Sequence, residues 1–437
     1  MNHRHETHQP VRVGLVFDGG GVGYGVMEYS RLLLAHLDRR RVAPIGIFLG
    51  RGYERDVLGP LCDEVCDLPC GCLLPLSQAG KGKFYLPNLI NKAGIFLRSI
   101  RDMSAAIRQA RLDAVHVQFY PHHLIAGLAS RLADVPCVWH WHGTYSRHGL
   151  SDKIARFGFR YLTDEIVCIS RCVARTLPPV GQAKATVVYD GVDTRGIRTA
   201  QRKGQLRRML GLGDGHLLAG MFGSIGPYKG HEYFLRAAAV VAQRFPQARF
   251  CIVGHEFEVV RRRFGLTDKL QRLTVQLGIA HKAFFTGFLE DAPLYMGDCD
   301  VICVATHPLG TCLGEGFGLV IAEAMAAGAA VISTRCGAPP EIIQEGISGL
   351  LIPPQDDQAL AEAMLSLLSD SVRRQAMVQA GWQRVAGHFD ISRAARGMEQ
   401  VYLRHRRRAG GRWNECLRED PAGVKALQQV QRIADDS

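Results

Sequence analysis

The apolar positions of this chain fall into short runs separated by helical patterns. Val11–Phe17 (V-R-V-G-L-V-F) reads as a short strand. Asp18–Gly25 follows with five glycines in eight residues, and a helical pattern then runs from Val26 to Leu37. Strand, glycine loop and helix in that order open a doubly wound α/β domain. Further strands are predicted at Ala43–Leu49, Ala114–Gln118, Cys137–Trp141, Glu165–Ile169 and Thr186–Tyr189. Helices fit between most of them, for example Asn88–Ala110 and Pro121–Ala133. Strands alternating with helices imply a parallel sheet.

After Val192-Asp193 the pattern restarts. The polar, basic stretch Thr194–Arg208 reads as a linker leading into a short helix. A strand at His216–Gly223 comes next, then a Gly-Pro-Tyr-Lys-Gly turn and a helix over His231–Gln243. Strands recur at Ala248–Val253, Ala283–Thr286, Val301–Val304, Ala330–Ser333 and Gly349–Ile352. The pattern thus predicts two α/β domains, residues 1–193 and 194–390. A helical run at 391–408 is expected to cross back onto the first domain, with a polar tail at 409–437. In such an architecture a ligand sits between the domains, at the carboxyl ends of the strands.

Composition narrows the class. Of 437 residues, 47% are hydrophobic and 22% charged, as in ordinary globular proteins. Thirteen scattered cysteines do not resemble a secreted disulfide framework, so reduced thiols and a cytoplasmic location are expected. The N-terminus has no apolar core of a secretory signal, and no apolar run approaches the roughly 20 residues of a membrane helix. The formal charge of +12 points to an anionic partner, or to solvated surface charge and a basic tail. No zinc finger or aromatic-rich RNA motif accompanies it, so nucleic acid is not the expected partner.

The chemistry concentrates in Glu315–Gly328, E-G-F-G-L-V-I-A-E-A-M-A-A-G. Glu315 and Glu323 stand eight residues apart around a Gly-Phe-Gly turn that enters an apolar helix. The amides of such a turn and helix start attract an anion, and each carboxylate accepts hydrogen bonds from hydroxyls. Sugar, diphosphate and ribose would meet these groups in order. Asp298-Cys299-Asp300 resembles a D-x-D metal motif but falls at a helix-to-strand junction. Cys62, Cys66, Cys70 and Cys72 cluster without the paired C-x2-C knuckles of zinc sites.

Two α/β domains, the E-x7-E segment and a G-x5-K-G turn together resemble family 4 of the glycosyltransferases, the retaining enzymes of the GT-B fold. The likeness runs from about Val11 to about Arg408 and is most specific in the second domain. It implies two facing Rossmann-like domains and transfer of a sugar from a nucleoside diphosphate sugar to an acceptor hydroxyl. Polysaccharide or lipid-linked glycan synthesis is the expected setting. It implies no cofactor and no bound metal. By the same likeness Glu315 binds donor-sugar hydroxyls, while Phe317, Gly318 and Leu319 offer backbone amides to sugar and diphosphate. Glu323 would hold the ribose, and Gly287-Phe288 the base. Lys229, in G-S-I-G-P-Y-K-G, would clamp the diphosphate; Ser224 stands there where the family usually carries Arg. Arg335 or one of Arg261, Arg262 and Arg263 is a candidate replacement. Gly19, Gly20 and Gly21 match the glycine loop near donor phosphate and acceptor. His142, in W-H-W-H-G-T, matches the active-site histidine facing the donor sugar. His116 is expected to be structural, Asp190 stands where Asn is usual, and Glu341 is expected to cap the helix after it or to orient the phosphate loop. A sugar-nucleotide epimerase, a phosphorylase and a non-catalytic nucleotide-sugar binder share these features. The helix Asn88–Ala110, with Lys92, Arg98, Arg101 and Arg108 among apolar residues, is a candidate contact with an anionic membrane.

Overall fold

The computed structural model describes residues 9–18, 24–68, 86–118 and 122–406. The first sheet holds seven strands: β1 (Val11–Phe17), β2 (Val42–Phe48), β3 (Glu64–Asp67), β4 (Ala114–Val117), β5 (Cys137–Trp141), β6 (Glu165–Cys168) and β7 (Ala185–Val187). They lie in the order β3-β2-β1-β4-β5-β6-β7, and every pairing is parallel. The second sheet holds β8 (Leu217–Phe222), β9 (Ala248–Val253), β10 (Ala283–Gly287), β11 (Val301–Val304), β12 (Ala330–Thr334) and β13 (Leu350–Ile352). Its order is β10-β9-β8-β11-β12-β13, again all parallel. Each sheet reverses its winding beside its first strand, between β1 and β4 and between β8 and β11. Chains leaving those two strands diverge and open a crevice at their carboxyl ends.

Alternation along β1 sends Val13, Leu15 and Phe17 to one face. There they pack with Leu33 and Leu34 of the helix Tyr24–His36 and with Met398, Val401 and Tyr402 of the helix Ile391–Arg404. Val16 faces the other way, towards Ile100, Met103 and Ile107 of the helix Leu86–Gln109. The final helix therefore crosses back onto the first sheet. Arg41 and the backbone of Asp38 bond Glu399, and the Tyr402 hydroxyl reaches Nδ1 of His116 on β4 at 2.9 Å. His116 is buried in that contact, as its structural reading expected. The second sheet buries Met221, Phe250 and Cys303 against Phe234, Leu360 and Met364 on one face. On the other, Val304 and Phe222 meet Ile321 and Met325 of the helix Leu319–Ala327. Both ends of that helix are glycine, Gly318 and Gly328, each at positive φ where a side chain would strain the backbone.

Two readings of the sequence need correction. Thr194–Arg208 is not a plain linker: it forms the helices Thr194–Thr199 and Gln205–Met209. The second is held by Asp298, whose carboxylate accepts the amides of Gly204 at 2.6 Å and Leu206 at 2.8 Å. Asp300 pairs with Arg207 and Arg374, so both acids of D-C-D fasten the second domain. Edge strand β3 went unpredicted because E-V-C-D carries too little apolar pattern to stand out. Gly19, Gly20, Gly21, Cys70, Cys72 and residues 409–437 lie outside the described residues.

Candidate active site

The crevice of the second sheet is built by two turns. After β8 the chain turns at Gly223, passes Ser224, and brings Lys229 to the start of the helix His231–Arg244. After β11 it passes Thr306 and returns at Glu315. Backbone bonds lock Glu315 in place: its amide donates to the Cys336 carbonyl at 3.0 Å, and its own carbonyl accepts from Ala338 at 2.9 Å. A Cβ on Gly337 would lie 2.2 Å from that carbonyl oxygen, so this close approach requires glycine.

The two turns meet at a charge pair. Lys229 Nζ lies 2.7 Å from Oε1 of Glu315, and Thr306 Oγ1 donates to the same oxygen at 2.5 Å. Burial is the largest single influence on Lys229 and would lower its pKa, but the charge and hydrogen bond of Glu315 together with the neighbouring Tyr228 outweigh it and the net shift is upward. Burial likewise is the largest influence on Glu315 and opposes its ionisation, but the Lys229 charge and the hydrogen bonds from Lys229 and Thr306 together outweigh it and lower the pKa. Both groups are therefore held charged. The Tyr228 ring, 5.1 Å from Nζ, flanks the ammonium.

Next to this pair begins the helix Leu319–Ala327. The amides of Leu319 and Val320 have no carbonyl to meet within the helix, while that of Ile321 turns back to Gly318 at 2.9 Å, and the dipole puts partial positive charge at this end. Gly25, in the first turn of the helix Tyr24–His36, faces Leu319 across the crevice: a Cβ on it would lie 3.7 Å from Leu319 Cδ1. Two helix N-termini thus approach one space, which an anionic group suits. Glu323 is half-buried on this helix, and burial, aided by the Glu28 charge, pushes its pKa up to about 8. Phe317 is buried; its ring meets Phe389 at 5.6 Å and Tyr189 at 6.3 Å, so only its backbone is offered to a ligand. Phe288, after β10, is 51% exposed and stands edge-on to His255.

His142 follows β5. Its Nε2 meets Oε1 of Gln118 at 3.1 Å, and burial lowers its pKa to about 3, so the ring is neutral. Its carbonyl oxygen lies close to Gly316, where a Cβ would come within 2.5 Å. The backbone of His142 therefore abuts the Glu315 loop while its ring turns towards Gln118. Further bonds join the domains here: Ser170 Oγ donates to the Gly316 carbonyl at 2.6 Å, and Leu313 N to Thr144 Oγ1 at 3.2 Å.

Glu341 does something sequence reading missed. It was expected to cap the helix that follows it; it caps one in the other domain. Its carboxylate accepts the amides of Arg171 at 3.0 Å and Cys172 at 2.6 Å, at the start of the helix Arg171–Thr176, and the Tyr189 hydroxyl at 2.8 Å. Three of the four arginines proposed to replace the one absent at Ser224 have other partners: Arg335 pairs with Glu345, Arg262 with Glu258, and Arg263 lies over Phe264. The Cys62 thiol bonds the Leu58 carbonyl, and burial pushes its pKa up to about 12.

Comparison with known proteins shows the family. The family model "Glycosyl transferases group 1" matches residues 203–384, and "Glycosyltransferase Family 4" matches residues 48–195. The chain is 30% identical over 299 residues to phosphatidyl-myo-inositol mannosyltransferase of Mycobacterium tuberculosis, covering 66% of this chain and 73% of that one. It is 22% identical to the UDP-Gal:alpha-D-GlcNAc-diphosphoundecaprenol alpha-1,3-galactosyltransferase of Escherichia coli, covering 73% and 83% of the two. Among solved structures, a glycosyltransferase from Rickettsia africae superposes with a TM-score of 0.75 at 18% identity, over 91% of this chain and 99% of that one. Anabaena Alr3699/HepE in complex with UDP-glucose gives 0.72 at 19% identity, over 90% and 99%. The two sheets, the crevice between them and these matches make the chain a member of the family 4 glycosyltransferases, with a GT-B fold.

Proposed function

We propose that this protein transfers a sugar from a nucleoside diphosphate sugar to an acceptor hydroxyl with retention of anomeric configuration. The observation that carries the reading is the Lys229–Glu315 pair set against the amino end of the helix Leu319–Ala327. A diphosphate between Lys229 and the first-turn amides has its growing negative charge stabilised as the sugar–oxygen bond breaks. Glu315, held ionised, accepts hydroxyls of the donor sugar. Glu323 takes the ribose, and Gly287 and Phe288 border the base. The departing diphosphate guides the acceptor in from the same face, so no side-chain nucleophile is required. The chain's work is positioning and leaving-group stabilisation. Gly20, Gly21 and the backbone around His142 would close the donor site from the first domain. No cofactor takes part in this scheme.

A lipid-linked or glycan acceptor fits the named relatives, which act on phosphatidyl-myo-inositol and on a diphosphoundecaprenol-linked sugar. Among the described residues no helix is long and apolar enough to cross a membrane. The membrane contact proposed here is peripheral, on a helix other than the one the sequence suggests. The helix Leu86–Gln109 turns Ile100, Met103 and Ile107 into the core. The helix Gly149–Tyr161 instead exposes Leu150, Ile154 and Phe157 on one stripe, flanked by Lys153, Arg156 and Arg160. Such a face suits an anionic bilayer surface. The test of the reading is a thermal-shift panel of nucleoside diphosphates and their sugars, followed by transfer assays with the stabilising donor. Stabilisation by none of them overturns it.

A further inference from the structure

Behind His142 lie groups that the transfer scheme does not use. His140 precedes His142 by two residues on β5, so both side chains leave the same face of the strand. Asp190 stands on the loop after β7, one residue before Gly191. One potential ligand atom from each of His140, His142 and Asp190 lies within 4.8 Å of the other two. His140 is 0% and Asp190 4% exposed, yet His140 Nε2 and Asp190 Oδ1 have no hydrogen-bond partner among the described residues. A buried carboxylate facing no cation is costly, so the cluster must gain either a proton or a positive ion.

The surrounding bonds favour the ion. His142 has its Nε2 engaged by Gln118, which leaves Nδ1 for the cluster. His140 has its Nδ1 engaged by Nε2 of His116 at 3.1 Å, and His116 is held in turn by Tyr402. Each imidazole is thus anchored through one nitrogen with the other left over, as in histidines that bind metals. The Tyr29 hydroxyl, buried without a partner, stands edge-on to both rings at centroid separations of 5.4 and 5.9 Å. It is a ready donor to the carboxylate or to a cation-bound water.

We infer that His140, His142 and Asp190 form a binding site for a divalent cation of the zinc type. Two neutral imidazoles and one carboxylate match that ion's ligand preferences and leave a position open for water. Bonds of about 2.0–2.2 Å require the three groups to draw in by roughly 1 Å. The ion's role is structural. It ties β5 to the loop at which the chain passes into the second domain, where Gly191 packs against Ile391. The inference does not depend on the transfer reading, and its test does not measure transfer.

The full chain, stripped with a chelator, is titrated with zinc and separately with cobalt(II). One equivalent of zinc is expected to bind and raise the melting temperature. Cobalt(II) is expected to give a visible spectrum without a thiolate charge-transfer band, which excludes the cysteines as ligands. Asp190→Asn keeps the side-chain shape and supplies the residue usual in the family. It is expected to weaken zinc binding at least tenfold with far-UV circular dichroism unchanged; His140→Gln serves as the second variant. Absence of stoichiometric zinc, a thiolate band in the cobalt form, or undiminished binding by both variants overturns the inference. The last result leaves Asp190 as a protonated acid beside His140.

Discussion

The ammonium of Lys229 and the carboxylate of Glu315 lie 2.7 Å apart, although 86 residues separate them in the chain. Each comes from a turn at the switch point of the second sheet, and each holds the other charged. A donor diphosphate bound as proposed would share Lys229 with Glu315 rather than meet an isolated cation. The pair fixes where the ammonium sits before the ligand arrives, which is the preorganisation that stabilises a leaving group.

Lys229→Ala removes the cation and leaves Glu315 half-buried without it. Turnover is expected to fall about 100-fold or more, by analogy with loss of one preorganised electrostatic contact. Folding stability should fall by about 1–3 kcal/mol. Initial rates and urea unfolding measure the two effects, and near-normal turnover would refute the assignment of Lys229.

Ser224→Arg restores the cation usual in the family beside the diphosphate path. Nucleoside diphosphate affinity should rise several-fold, and the gain should shrink with added salt. Isothermal titration at two ionic strengths checks this; unchanged affinity would mean that the site is already complete.

Glu323 gives a pH test. Its folded pKa of about 8 lies above the ordinary 4.5. Between those limits the folded state holds the proton more tightly than the unfolded state. Its contribution to stability is therefore full below about pH 4.5 and is lost as pH rises through 8. Glu323→Gln removes that loss. The variant should gain stability relative to wild type at pH 9 compared with pH 5, read from urea midpoints; parallel curves would show that Glu323 ionises normally.

Glu341→Ala takes the acceptor from the Arg171 and Cys172 amides, leaves the helix Arg171–Thr176 with only its Ser170 cap, and strands the Tyr189 hydroxyl. A loss of about 1–2 kcal/mol is expected, the usual range for helix caps. Because the bond joins the two domains, donor hydrolysis without acceptor should also rise as the crevice opens to water. Tyr189→Phe should show a smaller loss of the same sign.

Replacing Leu150 and Phe157 together with Ser should abolish flotation with anionic liposomes while leaving soluble donor hydrolysis unchanged. Equal flotation of both proteins would place the membrane contact elsewhere.

The parts of the site legible in the sequence were those carried by local pattern. The Gly-Phe-Gly turn, the Ala-rich helix and the flanking glutamates occupy fourteen consecutive residues, and their order alone announces an anion at a helix start. The fold was legible for a similar reason: buried parallel strands read as continuous apolar runs. Strand β3 lacks such a run, and its pairing with β2 comes from tertiary context. The missed contacts all span long sequence distances. Glu341 reaches Cys172 across 169 residues, and nothing beside Glu341 marks it as a cap for another domain. Thr194–Arg208 looked like a linker because its apolar positions are sparse. What orders it is Asp298, about ninety residues onward. His142 was found by its motif, but the direction of its ring depends on Gln118, just past the end of the neighbouring strand β4.

The chain passes between its domains twice, at Val192 and at Asp390, and the two passages are bonded side by side: Val192 N donates to the Phe389 carbonyl, and Ile391 N to that of Val192, each at 3.0 Å. Two tethers placed together behave as one pivot. Had they been set at opposite rims, any opening would stretch one of them. Placed together, they would let the lobes turn about a single line without straining either. The Ser170–Gly316 contact lies close to that pivot, beside Phe317 packed on Phe389, so it works on a short lever arm and costs little to keep through an opening.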